Sequence, residues 1–402
     1  MKFLPYNRDQ ADLPPPSAKD VLGATPRDRG RKRPLAIGAY VCFLLAMAGW
    51  TYAHAVRNWD MIGYMAVITS WQTTNPVEMH RRVYQQIRRT TSPAAYEELT
   101  SGPFREDITA NPWHLAEQLP FYSIKPLYLD VVWLGHWFGL RLDQSMRILS
   151  VLAVFGLGIL CFQWMRIYLS DPQSAIISAC LFLTAPLYRL ETFSEPDALN
   201  ALVLAASLYL LFEKGKKFPG LLLLCAAPLV RPDSAIFCLL VLAYVGVWAP
   251  PRIAIKKHEA LVLAGTVAAC VFAIGRWSGN YGWKILFVNS IKSPVSNPGE
   301  ITPVVTRWDY WAAARATFAQ LLSGSGLILF VFFIALCLVA GAASLEPKLR
   351  DLLILLAVAI ACQIVLYPNL EARYYAFALV PTAVGYVACM ARRKRLDSEV
   401  PT

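Results

Sequence analysis

The sequence predicts an all-α membrane protein in which about ten helices cross a bilayer and both chain ends lie in the cytoplasm. Hydrophobic residues make up 56% of the 402 residues and charged residues only 16%, where a soluble protein usually has about 25% charged residues. Apolar segments of about twenty residues recur along almost the whole chain, and that is the length a helix needs to cross about 30 Å of hydrocarbon. Lysines and arginines concentrate in the connectors between these segments, which is typical of cytoplasmic loops.

The net charge of +11 does not indicate a nucleic-acid-binding protein, because the basic residues are divided among short connectors. They include Lys214, Lys216, Lys217, Arg252, Lys256, Lys257 and Arg392 to Arg395. The nine cysteines all fall within apolar segments and form no CxxC pair. We therefore expect them to act as small hydrophobic side chains and not as metal ligands.

The amino-terminal region is predicted to be a cytoplasmic tail followed by a signal anchor. Residues 1–34 are rich in Pro, Asp and Arg, which predicts disorder. The apolar segment that follows ends in Ala53-His54-Ala55, which resembles a signal-peptidase site. We interpret the anchor as uncleaved, because the tail and the apolar segment are both too long for a signal peptide. Cleavage after Ala55 is the alternative, and amino-terminal sequencing distinguishes the two.

A long polar stretch, residues 57–146, is predicted to form the first non-cytoplasmic loop. It contains a basic amphipathic segment and turns marked by Pro93, Pro103, Pro112 and Pro120. Its apolar piece, Pro126 to Leu140, is interrupted by polar residues and is short for a span. We interpret this piece as a helix on the membrane surface.

The remaining spans follow from that choice. They are predicted at 147–168, 173–190, 197–213, 218–231, 234–250, 259–276, 325–343, 350–367 and 373–390. The connectors 166–172, 213–217, 251–258, 344–350 and the carboxyl-terminal tail 391–402 then become cytoplasmic, and each contains Lys or Arg. Counting 126–140 as a span would move these charges to the other side, so the positive-inside pattern favours the first map. A second large non-cytoplasmic loop covers 277–324.

Charged residues at the edges of the apolar segments gather on the non-cytoplasmic side of this map. Charge at such an edge is costly to bury and indicates function by default. The residues are Asp60, Lys125, Arg147, Glu195, Asp197, Arg231, Asp233, Glu371 and Arg373. Each alone has a structural interpretation: a solvated flank, an interface anchor, a helix start, or a local ion pair (Arg231 with Asp233, Glu371 with Arg373). Their common side favours a functional site.

This layout resembles the GT-C superfamily of membrane glycosyltransferases, which includes protein O-mannosyltransferases, aminoarabinose-lipid A transferases and rhizobial lipopolysaccharide-core transferases. The resemblance covers roughly residues 35–390. The family has an Asp just after the first transmembrane helix, as Asp60 is here, and a Lys/His-Pro-Pro-Leu segment that Lys125-Pro126-Leu127 matches with one Pro missing. Its other motifs correspond to Arg147 at the start of the second helix, Asp197 or Glu195 after the third, and Arg373-Tyr374 before the last.

The resemblance implies transfer of a sugar from a polyprenyl-phosphate donor to a glycolipid, polysaccharide or protein acceptor, with inversion at the anomeric carbon. Asp60 is the expected catalytic base, and Asp197 or Glu195 orients the acceptor, supports Asp60 or holds a divalent cation. The candidate ligands of the donor phosphate are Lys125, Arg147, Arg231, Arg373 and Tyr374, since cations stabilise a departing phosphate. The sequence itself implies no certain cofactor.

Two other functions are left open by the residues. A lipid-linked sugar flippase or transporter is favoured by the break between Pro228 and Pro232, although no convincing internal repeat is present. A non-catalytic subunit of a polysaccharide-assembly complex would have nearly the same sequence features. Compact loops and the lack of a retention signal favour a bacterial inner membrane, with the site facing the periplasm.

Overall fold

The computed structural model describes residues 26–321, 345–369 and 371–399, together with several positions between 332 and 342. Among these residues the chain is helical, and extended pairing is confined to one isolated parallel bridge between Val56 and Phe193. The predicted all-α class is therefore confirmed for the described part of the chain.

The amino-terminal part contains one long helix and six shorter ones. They are α1 (Pro26–Ala53), α2 (Asp60–Ser70), α3 (Pro76–Thr90), α4 (Pro93–Thr100), α5 (Pro103–Ala110), α6 (Pro112–Tyr122) and α7 (Pro126–Trp137). Helix α1 begins inside the segment predicted as the tail, and residues 1–25 of that tail lie outside the described residues.

Prolines begin most of the helices in the first large loop. They stand at the start of α3, α4, α5, α6 and α7 as Pro76, Pro93, Pro103, Pro112 and Pro126. At this position the missing N–H would have no intrahelical acceptor, and the fixed φ angle suits the helix. The sequence predicts a turn at Pro120, but this residue lies inside α6.

Helices α2 to α7, which we call the cap, pack around their own hydrophobic core. Residues 61–69 of α2 are all buried. Helix α3 buries Met79, Val83 and Ile87, spaced four apart on one face. Val230, which lies outside the cap, belongs to the same cluster of buried residues. The cap therefore packs directly onto the helices that follow it.

A second, larger core lies among the remaining described helices. They are α8 (Leu142–Met165), α9 (Asp171–Phe182), α10 (Ala185–Thr192), α11 (Asp197–Leu208) with a π-helical extension (Tyr209–Glu213), α12 (Lys217–Val230), α13 (Ser234–Val247), α14 (Lys257–Trp277), α15 (Trp283–Phe287) with a π-helical extension (Val288–Lys292), α16 (Arg307–Leu321), α17 (Pro347–Leu366), a 3₁₀ segment (Ala372–Ala378) and α18 (Leu379–Glu399).

Five described helical segments are long and apolar enough to cross a membrane. They are Pro34–Ala53, Leu142–Met165, Lys257–Trp277, Pro347–Leu366 and Arg373–Lys394. The helices α9 and α10 form a sixth if they count as one span, although they are bent by 69°. Helix α7 is not among them, because it has only 12 residues. The protein is thus of the helical membrane type, with fewer candidate spans than the ten predicted.

Five of the predicted spans are not among the candidates. The predicted span 197–213 is divided between α11, which has 12 residues, and its π-helical extension of 5 residues. Helices α12 and α13 have 14 residues each, which is about 21 Å at 1.5 Å per residue and short of about 30 Å of hydrocarbon. The predicted span 173–190 is divided by the bend between α9 and α10. The predicted span 325–343 lies mostly outside the described residues.

Glu213 contacts residues of several connectors that are predicted to be cytoplasmic. Glu213 accepts hydrogen bonds from Trp164 Nε1 at 3.3 Å and Tyr168 OH at 3.0 Å, and it pairs with Lys348 Nζ at 2.9 Å. Arg252 donates to its backbone carbonyl at 3.1 Å. These partners come from three other basic connectors or their edges. The structure therefore brings four of the basic connectors to one end of the helical bundle.

Candidate functional site

Seven charged side chains meet where the cap contacts the helices α10 to α13 and the 3₁₀ segment. We call them the charged cluster: Asp60, Glu195, Asp197, Arg231, Asp233, Glu371 and Arg373. Asp197 begins α11 and Glu213 ends its extension, so the cluster and the Glu213 contacts lie at opposite ends of the same helical segment, roughly 20–25 Å apart.

The isolated bridge between Val56 and Phe193 holds the segment before Asp60 against the loop that carries Glu195. The backbone N–H of Val56 donates to the carbonyl of Thr192 at 3.0 Å. This contact joins the connector that leads to Asp60 with the loop that carries Glu195. On the other side of that loop, Tyr128 OH of the cap donates to the carbonyl of Ser194 at 3.1 Å. The loop is therefore held by both α1 and the cap.

Arg373 is the centre of the cluster. Its guanidinium pairs with Glu195, with Glu371 at 2.5 Å, with Asp60 at 3.5 Å and with Asp197 at 3.8 Å. The side chain is only 14% exposed. Since a buried charge is stable only when it is paired and hydrogen-bonded, these carboxylates allow an arginine at this depth. The sequence predicts the ion pair of Arg373 with Glu371 as a local contact. In the structure Arg373 also pairs with three carboxylates from distant parts of the chain.

Arg231 makes a second group of contacts beside the first. It pairs with Asp197 and, through two nitrogens, with Asp233 at 2.9 and 3.0 Å. Gln363 Nε2 of α17 also donates to Asp233 at 2.9 Å. Burial alone would raise the pKa of Asp233, but Arg231 lowers it below its ordinary value. Asp197 contacts both arginines, so the two groups form one network.

Asp60 is the accessible acid of the three that sequence reasoning named. Its side chain is 34% exposed, against 3% for Glu195 and 4% for Asp197. One oxygen accepts a hydrogen bond from Tyr122 OH at 3.0 Å and the other lies near Arg373. Of the three acids, Asp60 is therefore the one that is open to solvent. The two buried acids serve to hold the arginines in place.

Lys125 approaches the cluster through aromatic groups and not through an ion pair. Its ammonium group donates to Tyr64 OH and lies 4.7 Å from the centre of the Tyr64 ring and 5.7 Å from that of Tyr122. Within the described part of the chain, no carboxylate pairs with it. Burial, together with the nearby charge of Arg231, lowers the pKa of Lys125 to about 7.

Aromatic rings cover the arginines as well. Tyr374 lies 4.5 Å from the guanidinium carbon of Arg231 and 5.1 Å from that of Arg373, measured to the ring centre. A cation over an aromatic face is stabilised by the ring quadrupole, more strongly where water is excluded. Tyr374 thus contacts both arginines, which gives a physical reason for the Arg-Tyr pair.

Arg147 is not brought into the cluster. It donates to the backbone carbonyl of Tyr52 at 3.4 Å and lies 5.4 Å from the centre of the Tyr52 ring, at the end of α1. No ion pair between Arg147 and a carboxylate is present among the described residues. The sequence predicts only that Arg147 lies at the edge of an apolar segment. The direction in which its side chain leaves α8 depends on how that helix packs.

Two contributors were missed by sequence reasoning. Tyr122, which orients Asp60, and Gln363, which orients Asp233, carry no local signal, since each reaches the cluster only through the packing of a distant helix. An internal tyrosine near the end of a cap helix is indistinguishable in sequence from a core residue.

The charge balance limits what the cluster binds as it stands. With Lys125 included, five carboxylates face three cations. An added anion is therefore repelled unless it replaces a carboxylate at an arginine, unless a carboxyl group takes up a proton, or unless it binds at Lys125. Of these three cations, Lys125 is the one that forms no ion pair with a carboxylate of the described residues.

The residues present do not fit a divalent-cation site. Asp60, Glu195 and Asp197 all direct oxygens at the guanidinium of Arg373. Among the described residues, no group of three or more His, Cys, Asp or Glu side chains is arranged to hold a metal ion. The arginine occupies the place that a cation would need.

Comparisons with known proteins do not assign the chain to a family. No family model, no curated protein and no solved structure matches it. The resemblance to the GT-C superfamily therefore depends on the short motifs given above.

Proposed function

We propose that the protein is a membrane glycosyltransferase of the GT-C type. It moves a sugar from a polyprenyl-phosphate donor to a glycolipid, polysaccharide or protein acceptor of the cell envelope, on the non-cytoplasmic side of the inner membrane. The observation that carries the proposal is that an accessible carboxylate, Asp60, and a cation without an ion pair among the described residues, Lys125, both contact the neighbouring tyrosines Tyr64 and Tyr122.

The reaction needs these two groups for different steps. Asp60 takes the proton of an acceptor hydroxyl as its oxygen attacks the anomeric carbon of the sugar. The bond from that carbon to the phosphate oxygen breaks on the opposite side, and the phosphate leaves with the electron pair. Lys125 neutralises the charge that develops on the phosphate. A single displacement inverts the anomeric configuration.

The remaining cluster residues position Asp60 and the donor. Arg373 and Tyr122 fix the two oxygens of Asp60, so that the base is oriented before the acceptor arrives. Glu195 and Asp197 act through the arginines and are positioning residues in this scheme. Arg231 and Arg373 become phosphate ligands only if the donor displaces part of their carboxylate contacts, and Tyr374 keeps both guanidinium groups facing the cluster.

A lipid-linked sugar transporter is the second candidate, and one observation favours it. Helices α9 and α10 are bent by 69°, and the short helices α12 and α13 meet at Arg231 and Asp233. Broken helices with charged residues at the break are typical of transporter sites. A non-catalytic assembly subunit is the third candidate, and the same variant distinguishes all three.

The decisive variant is Asp60→Asn, which keeps the size of the side chain and removes the base. Envelope glycolipids and polysaccharides of cells with and without the gene are first compared by mass spectrometry to identify the product. We expect Asp60→Asn to lower its formation by about 10²–10⁴-fold, the usual contribution of a general base, with normal protein abundance. Asp130→Asn is the matched control, since Asp130 is an exposed acid on cap helix α7.

Unchanged product in Asp60→Asn excludes this base. A product that also forms without the gene excludes the enzyme proposal. Movement of a fluorescent lipid-linked sugar across vesicles by the Asp60→Asn protein supports the transporter.

A further inference from the structure

A second basic region lies between α3 and the turn that joins α7 to α8. A cavity of about 390 Å³ is lined there by three arginines, a histidine and polar side chains. The arginines are Arg82, Arg89 and Arg141, and the histidine is His136. None of these residues belongs to the charged cluster.

The positive charge of this cavity is only partly neutralised. Arg82 pairs with Glu78 at 2.6 Å, and Arg141 pairs with the buried Asp143 at 3.2 Å. Glu78 is shared with Arg81, which lies 2.7 Å from it. Within the described residues no carboxylate pairs with Arg89.

Further positive charge lies behind the cavity wall. Arg57 donates to the backbone carbonyl of Thr90, which is itself a lining residue. Burial lowers the pKa of Arg57, and the neighbouring Arg147 and Arg141 lower it further, although Asp143 opposes them. The potential inside the cavity is therefore positive.

The turn that forms one wall has a fixed shape. The N–H of Leu140 donates to the carbonyl of Gly135 at 3.2 Å, and the N–H of Gly139 donates to that of His136 at 2.9 Å. This is a Schellman motif, and Gly139 has the positive φ angle, 93°, that the motif requires. His136 Nδ1 donates to the carbonyl of Leu140 at 2.8 Å, which leaves Nε2 free of that bond.

The cavity adjoins the start of a candidate membrane span. Helix α8, a candidate span, begins at Leu142, one residue after Arg141. The adjoining end of α7 exposes large apolar side chains, with Trp137 at 67% and Phe138 at 72%. Exposed tryptophan next to a basic group is typical of the lipid–water interface.

We propose that this cavity binds the phosphate of an anionic phospholipid headgroup, with the acyl chains against Trp137 and Phe138. The phosphate supplies the negative charge that Arg89 lacks, and Arg141, which has a single carboxylate partner, lines the same cavity. The volume suits a glycerol-phosphate-sized group, since small-molecule sites have about 300–1,000 Å³. The inference is independent of the sugar-transfer proposal.

Native mass spectrometry of the detergent-purified full chain tests this binding. The protein is titrated with phosphatidylglycerol and with phosphatidylcholine of the same chain length. We expect the wild type to retain phosphatidylglycerol more strongly, and Arg89→Gln to weaken that retention by about fivefold, the effect of one basic residue at an anionic surface. Arg88→Gln is the matched control, because it removes the same charge from the next position of α3 without lining the cavity.

Three results would overturn the proposal. The first is an equal loss in both variants, which indicates nonspecific charge attraction. The second is equal retention of the two lipids by the wild type. The third is displacement of phosphatidylglycerol by glycerol 3-phosphate at the same concentration, which indicates a site for a water-soluble phosphate. A thermal melt of both variants excludes a folding defect as the cause of a loss.

Discussion

Lys125 is a titratable group in the range where cells work. Burial favours the neutral amine, which is why the pKa of Lys125 is about 7 and below the ordinary lysine value. The cation is present below that pKa and is lost as the pH rises through it. If the ammonium group binds the donor phosphate, the enzyme without donor is competent mainly at the lower pH.

This titration predicts a pH dependence of transfer. We expect kcat/KM to fall about tenfold per pH unit above pH 7, because it reports groups of the free enzyme. In the donor complex the phosphate stabilises the ammonium, so the fall in kcat occurs at higher pH. Lys125→Arg keeps its charge at every pH and should lose the inflection in kcat/KM.

The measurement is a pH series of initial rates for both proteins with a labelled donor. Lys216→Arg, an exposed lysine at the opposite end of the bundle, is the control. An unchanged inflection in Lys125→Arg would assign it to another group.

At the scale of elements, the turn between α7 and α8 decides where α7 ends and where α8, a candidate span, begins. Its Schellman motif directs Trp137 and Phe138 outward, while Ser145 Oγ donates to the carbonyl of Val132 at 2.7 Å and fixes α7 on α8. Gly135 permits this contact, since a Cβ there would lie 2.2 Å from Ser145 Oγ. The two glycines thus serve different purposes, one conformational and one steric.

Gly139→Ala tests the conformational role. We expect a loss of about 1–2 kcal/mol of stability, because a residue with a Cβ is strained at this φ angle. The apparent thermal unfolding midpoint in detergent measures it. Gly265→Ala is the control: Gly265 lies within α14 with nothing within 4 Å of an added Cβ, so its midpoint should stay the same or rise. A Gly139→Ala midpoint equal to that of the wild type would contradict the assigned strain.

At the scale of the whole molecule, the charged cluster and the Glu213 contacts occupy opposite ends of the bundle. If α11 and its neighbours cross the membrane, the cap and the basic connectors lie on different sides of it. We therefore expect a membrane-impermeant maleimide to label Glu97→Cys in intact spheroplasts and Lys216→Cys only after permeabilisation. Both positions are exposed.

The wild-type chain is the control for this labelling, because its described cysteines lie within helices. Labelling of both variants from the same side would contradict the proposed topology.

The sequence predicts the all-α class and that 126–140 is too short to be a span, because hydropathy and loop charge are summed over many residues. It also predicts both local ion pairs, since Arg231 and Asp233, like Glu371 and Arg373, are two residues apart. It does not predict the bend between α9 and α10, which leaves the hydropathy of that segment unchanged. Nor does it predict that Arg147 turns towards α1, because rotation about a helix axis is set by packing.

The contacts of Glu213 determine where the chain tolerates insertions and deletions. Its carboxylate is shared by Tyr168 and Lys348, and its carbonyl by Arg252, so three connectors of unrelated sequence have to reach one point. An added residue in any one of them shifts its contact by about 3.3–3.6 Å, more than a hydrogen bond tolerates. Among the described residues, the turns between the short cap helices share no such common carboxylate, so we expect them to tolerate a change of chain length better than these three connectors do.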